Sequence, residues 1–138
     1  MKALSWSPFK RGALASVSDD GQLLIWDTSG GGTSVMKSLV GGHDDFVTAV
    51  AFSLHDANVI ASASTDKSVV VWDLKRGKPI YAFNDHGDEV HCLAWSPSAE
   101  GLLASGSHDH TVMVFDAGLE DGGGELYKKL DGHSTEVR

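Results

Sequence analysis

The chain has 138 residues, 41% of them hydrophobic and 22% charged, enough for one domain with its own core and too apolar for a disordered segment. Eleven Lys and Arg stand against nineteen Asp and Glu, a formal net charge of −8 that argues against non-specific binding to nucleic acid. No apolar run approaches the ~18 residues of a membrane span, residues 1–6 lack the apolar centre of a signal peptide, and the single cysteine, Cys92, points to a reducing compartment.

The strand-like elements come in a recurring order. A first unit carries Trp6, Ser16, Asp20 and the pair Trp26-Asp27, followed by Gly30-Gly31-Gly32. In the second, residues 46–52 alternate large and small side chains, 59–64 are short and apolar, 68–72 are strongly β-branched, and 79–83 make a fourth run. Turn residues at 54–58, 65–67 and 75–78 separate them. A third unit contains residues 90–95, Ser105, Asp109 and Phe115-Asp116, followed by Gly122-Gly123-Gly124. No segment sustains the 3.6-residue apolar period of a helix.

The offsets show a true repeat. Trp26, Trp72 and Phe115 are 46 and 43 residues apart. Six residues before each lies an Asp (Asp20, Asp66, Asp109), and four residues before each Asp a Ser (Ser16, Ser62, Ser105). Twenty residues before each lies a large aromatic (Trp6, Phe52, Trp95), and 29 residues before the last two lies a His (His43, His86). The length variation is confined to the 17, 14 or 18 residues that lead from the Trp or Phe to the next His. Four short antiparallel strands per unit describe one propeller blade.

Gly42-His43, Asp66 and Trp72-Asp73 resemble the Gly-His, turn-Asp and Trp-Asp positions of WD40 repeats, and the resemblance covers essentially the whole chain. It implies an all-β fold, a partial β-propeller of three four-stranded antiparallel blades in an open arc. The blades are expected at about residues 2–41, 44–84 and 87–131, with 132–138 starting a further repeat. It also implies a buried hydrogen-bond network of indole, hydroxyl, imidazole and carboxylate in each blade. That set is complete in the second as Trp72, Ser62, His43 and Asp66. The first has Ser16, Asp20 and Trp26 without a His. The third has His86, Ser105 and Asp109, with Phe115 in the place of Trp and Asn84-Asp85-His86 in the place of Gly-His. The repeat runs off both ends, which points to a piece of a longer propeller or a shortened one.

A Ser, a His and an Asp in one unit also invite a hydrolase reading. Repetition decides against it: a catalytic triad occurs once, a structural device recurs, and no Gly-x-Ser-x-Gly elbow is present. No catalytic residue is therefore assigned. No metal or cofactor site is expected either. His108-Asp109-His110 and His86 with His91 supply imidazoles, but His108 lies beside the turn residue Asp109 and His110 is placed at the start of the next strand, so their side chains need not converge. The acidic pairs lack calcium-loop spacing, and the glycine runs are not followed by the Lys-Ser or Lys-Thr of a phosphate loop. Trp6, Phe52, Trp95 and Cys92 read as core residues.

What remains is a non-enzymatic scaffold for protein partners, with no direct nucleic-acid or membrane contact. The WD40 resemblance places the partner surface on the rim, at Phe46 and Glu89 and at Asp19, Thr65 and His108. Residues 7–21 with Trp26-Asp27-Thr28 resemble the spindle-pole WD-repeat proteins that recruit γ-tubulin ring complexes, which implies microtubule organisation. Residues 18–28 with Asp88-Glu89-Val90 resemble the retinoblastoma-associated histone-binding proteins, which implies a chromatin-complex subunit. An enzyme that uses a propeller as frame is the third reading. The expected location is intracellular, cytoplasmic or cytoskeletal, with the nucleus open. Because three blades cannot close a ring, self-association or a longer parent chain is expected.

Overall fold

A computed structural model of the chain describes residues 3–30, 34–117 and 124–138. Among these there are twelve strands and no helix. β1 (Ala3–Trp6), β2 (Ala13–Val17), β3 (Leu23–Asp27) and β4 (Ser34–Leu39) form the first sheet. β5 (Val47–Phe52), β6 (Val59–Ser64), β7 (Val69–Asp73) and β8 (Lys78–Phe83) form the second, and β9 (Val90–Trp95), β10 (Leu102–Ser107), β11 (Thr111–Asp116) and β12 (Glu125–Asp131) the third. Every pairing is antiparallel between neighbours in the chain. The second sheet lies between the others, with β5 against β1 and β2 on one side and β9 against β5 and β6 on the other. The all-β expectation of three four-stranded antiparallel sheets in an unclosed arc therefore holds. Gly31, Gly32, Gly122 and Gly123 lie outside the described residues.

Burial follows this order. Successive side chains of a strand point to opposite faces of its sheet. In the second sheet Ile60, Val70 and Trp72 join Ala15, Val17, Leu23 and Ile25 in one core, while Val59, Ala61, Val69 and Val71 join Leu103, Met113 and Phe115 in another. Every residue of β6 is consequently buried, whereas β2 of the first sheet alternates buried and half-buried positions. Small residues at Ala61, Ser62, Ala63 and Ser64 let the neighbouring sheets approach both faces of β6. Polar ties reinforce the stacking: Trp95 Nε1 donates to the Ala51 carbonyl at 3.0 Å, and Lys37 Nζ of β4 donates to the carbonyls of Leu74 and Lys75.

One irregularity recurs three times. The register of the outer strand shifts beside Trp26, Trp72 and Phe115, so that Met36, Ile80 and Tyr127 are skipped in the pairing. Each shift is a β-bulge, which twists the outer strand relative to its partner.

Three expectations need correction. Trp6 is 62% exposed, because Phe52 and Trp95 are buried by packing toward the preceding sheet and no described sheet precedes β1. His110 does not start a strand: it is a turn residue with φ 70°, and β11 begins at Thr111. It occupies the same left-handed turn position as Gly21 (φ 77°) and Lys67 (φ 75°). Cys92 is half-buried rather than in the core.

The inner strand of the first sheet exposes Leu4 and Trp6, and the outer strand of the third exposes Leu126, Tyr127 and Leu130. Uncovered faces of this kind drive association in repeat proteins. Light scattering on the purified 138-residue chain is expected to show dimers or larger species at micromolar concentration; a stable monomer with a cooperative melt would show that three sheets suffice.

Candidate functional site

The residues singled out by the repeat meet in the second sheet as one directed chain of hydrogen bonds. Trp72 Nε1, which can only donate, lies 2.8 Å from Ser62 Oγ, and Ser62 Oγ is 2.7 Å from His43 Nε2. His43 Nδ1 lies 2.8 Å from Ser68 Oγ and 3.4 Å from Asp66 Oδ2, and the Ser68 hydroxyl donates to Asp66 Oδ1. Ser68 thus accepts from His43 Nδ1–H, and the unprotonated Nε2 accepts from Ser62. Asp66 ends the chain by accepting from the backbone N–H of Ser68 at 2.9 Å and of Asp44 at 2.8 Å.

Burial lowers the pKa of His43 below its ordinary 6.5 against the opposing pull of Asp66, so the ring is neutral. For Asp66, burial pushes upward, but the donors Ser68 and Asp44 outweigh it and hold the carboxyl below its usual range. Gly42, just before the His, lies so close to the Trp72 ring that a Cβ there would collide with it. The Gly-His pair is therefore one packing unit with the indole.

The third sheet repeats the arrangement without the indole. His86 Nε2 lies 2.6 Å from Ser105 Oγ, and His86 Nδ1 lies 2.8 Å from Asp109 Oδ2. Asp109 also accepts from Thr111 Oγ1 at 2.5 Å, Gly87 N–H at 3.0 Å and Thr111 N–H at 2.9 Å. Burial opposes ionisation here too, yet Thr111, His86 and the backbone donors hold the carboxyl far below its ordinary value. Phe115 fills the indole's place, fully buried and stacked on Phe83 at 4.3 Å. In the first sheet Trp26 Nε1 donates to Ser16 Oγ at 2.9 Å, but Asp20 is exposed and takes no part: its carboxyl accepts the Gln22 N–H at 3.0 Å. Ser68 and Thr111, two residues after each Asp, are members that the sequence reading passed over, although a hydroxyl at that offset in two units was the signal.

The rim residues separate into two groups. Phe46 is 49% exposed, and its carbonyl accepts from Ser64 and Thr65. A concavity of about 420 Å³ between the first and second sheets is lined by Asp19, Asp20, Asp44, Asp45 and Phe46. Glu89 and His108 lie elsewhere, on the third sheet, with His91. There two imidazoles converge: the His91 and His108 rings are 4.0 Å apart, and each has a nitrogen 3.5 Å from Glu89 Oε2. Glu136 Oε2 is 2.9 Å from His108 Nε2. Burial and the neighbouring His108 lower the pKa of His91. Burial raises that of the Cys92 thiol, the opposite of what a reactive cysteine requires.

A family model described as "WD domain, G-beta repeat" matches residues 1–27, 34–73 and 77–116, most of the chain. The chain belongs to the WD40 repeat family. The WD-40 repeat-containing protein MSI3 of Arabidopsis thaliana is 34% identical to it over 116 residues, which are 82% of this chain and 27% of that protein. This WD40 chain thus spans about a quarter of the length of that relative. The matched repeats run out of phase with the sheets: residues 34–73 comprise β4 of the first sheet and β5, β6 and β7 of the second.

Two outcomes are expected from the WD40 network. Trp72→Phe removes the only donor that Ser62 Oγ has from the indole, and should cost about 1–3 kcal/mol in urea unfolding; an unchanged midpoint would show that Ser62 gains nothing from Trp72. The folded state holds His43 and His91 below 6.5, so the unfolded chain binds more protons as pH falls through that value, and stability should decline below it. A second decline should begin near 3.8, where unfolded carboxyls protonate while Asp66 and Asp109 still resist. Urea midpoints from pH 8 to pH 3 check both, and His43→Gln should make the first slope shallower.

Proposed function

We propose that this WD40 chain is a non-enzymatic protein-interaction scaffold whose rim between the first and second sheets receives a basic peptide segment. The supporting observation is the concavity whose lining brings Asp19, Asp20, Asp44 and Asp45 together with the exposed Phe46. Four carboxylates in one depression attract Lys and Arg side chains from a distance, and an exposed aromatic in the same lining supplies the apolar anchor on which interface energy concentrates. No step of chemistry is assigned to the network of His43, Ser62 and Asp66. Its imidazole sits between two hydroxyls, its side chain only 2% exposed, and its counterpart recurs in the third sheet.

An acidic cleft favours the histone-binding alternative over γ-tubulin recruitment, since histone tails are rich in Lys and Arg. Fluorescence anisotropy with histone-tail peptides is the test. Binding should weaken steeply between low and physiological salt, and Phe46→Ala or the pair Asp44→Asn and Asp45→Asn should weaken it by about tenfold or more. Indifference to these substitutions, or capture of γ-tubulin-complex subunits in place of histones from extract, would overturn the reading. So would hydrolysis that disappears with His43→Ala while the fold survives.

A further inference from the structure

A second cluster of chemistry-bearing side chains stands apart from the repeated network. Glu89 immediately precedes β9, His91 is the second residue of that strand, and His108 sits on the turn between β10 and β11. One ligand atom from each lies within 4.8 Å of the others. His91 Nε2 and His108 Nδ1 are each 3.5 Å from the same Glu89 oxygen, Oε2. That spacing is close to the edge of a tetrahedron built with bonds of about 2.0–2.1 Å, roughly 3.3 Å.

A separate observation marks the cluster as incomplete. His91 Nε2 is buried and has no hydrogen-bond partner; Glu89 is near it but not in bonding geometry. It is the one such side-chain atom among the described residues. A buried polar atom without a partner is costly and uncommon in folded proteins.

We propose that Glu89, His91 and His108 bind a single divalent cation of the zinc class, with Glu136 as the residue that orients His108. Two imidazole nitrogens and one carboxylate oxygen suit zinc and related transition metals, whereas calcium and magnesium prefer oxygen ligands throughout. Glu136 Oε2 lies 2.9 Å from His108 Nε2, the ring nitrogen opposite the proposed ligand atom. A carboxylate on the far nitrogen fixes the ring and its tautomer, the usual support of a metal-bound histidine. Three protein ligands leave a fourth position for water or for a side chain of a partner.

The cluster also fails to repeat. At the equivalent positions of the second unit stand Phe46, Thr48 and Thr65, none of which is a good zinc ligand. A device that serves the fold would recur, as the His–Ser–Asp network does; this one occurs once. It lies where the segment after β12 returns to the third sheet. There the Val137 N–H donates to the Ser107 carbonyl at 2.8 Å, and Val137 packs over Gly106. A bound cation would fasten that segment to β9 and β10 through Glu136 and His108.

The test uses the full chain, tag-free and stripped with a chelator. Co²⁺ should give the visible absorption of a tetrahedral site, saturating at one equivalent, and Zn²⁺ should displace it and raise the melting temperature. His91→Ala, and separately His108→Ala on its turn, should abolish the cobalt spectrum while the far-ultraviolet circular dichroism stays unchanged. Glu136→Gln should weaken Zn²⁺ binding by about 10–100-fold, and the exposed His133→Ala should leave it intact. Absence of a stoichiometric cobalt spectrum, or a spectrum that survives His108→Ala, would overturn the proposal. Histone-peptide binding measured on the same variants distinguishes its failure from that of the acidic cleft.

Discussion

The Ser62 hydroxyl is the point through which the second sheet is fastened to the loop that enters it. It receives the Trp72 indole from within the sheet and faces the His43 ring from the loop between the first and second sheets. His43 then reaches Ser68 and Asp66 on the far turn, and Asp66 binds the backbone of the same loop at Asp44. One strand, one turn and one connecting loop are thereby held together, and because Ser62, Ser68 and Trp72 are buried, loosening the His43 ring leaves buried hydroxyls short of a partner. Gly42 completes the joint sterically, since the indole occupies the space that a side chain would need.

This joint matters because the middle strands of the second sheet have no solvent face on which to err. Its two cores meet through β6, built wholly from small or β-branched residues, and β7, where Val69, Val70 and Val71 precede Trp72. A slip of one residue would exchange the side chains assigned to the two cores. Ser62 and Trp72 must lie on the same face of two adjacent strands for the indole to reach the hydroxyl, and the register Ile60↔Trp72 and Ser62↔Val70 provides that. The network therefore selects a register as well as a loop position. The third sheet keeps the turn and the loop but replaces the indole with a ring stack, Phe115 on Phe83, and so relies more on packing.

Most of this architecture was legible in the sequence, because the repeat offsets place equivalent residues at equivalent sites. The strand runs, the turns after Asp20, Asp66 and Asp109, and the pairing of indole with hydroxyl all recur at fixed spacing. Apart from the recurring hydroxyls of Ser68 and Thr111, what escaped was what does not recur or depends on neighbours. Trp6 carries the same offset as Phe52 and Trp95, but its burial is decided by a preceding sheet, which no offset encodes. His110 was misplaced because a left-handed turn residue is normally signalled by glycine, as at Gly21, and here Lys67 and His110 take that conformation instead. Glu89 and His91 lie at the start of β9, His108 on a turn, and Glu136 past β12. Only the fold brings them together, and no spacing rule covers such a set.

The phase difference between matched repeats and sheets carries a consequence for how such chains grow. Residues 34–73 end a sheet that began before them and begin one that Lys78–Phe83 must finish. A duplicated copy of that segment would arrive with a closing strand for its predecessor and an open place for its successor. Genetic gain of one such unit thus inserts a whole blade without leaving a bare edge at the seam. Cutting at a sheet boundary severs the very link that staples adjacent blades.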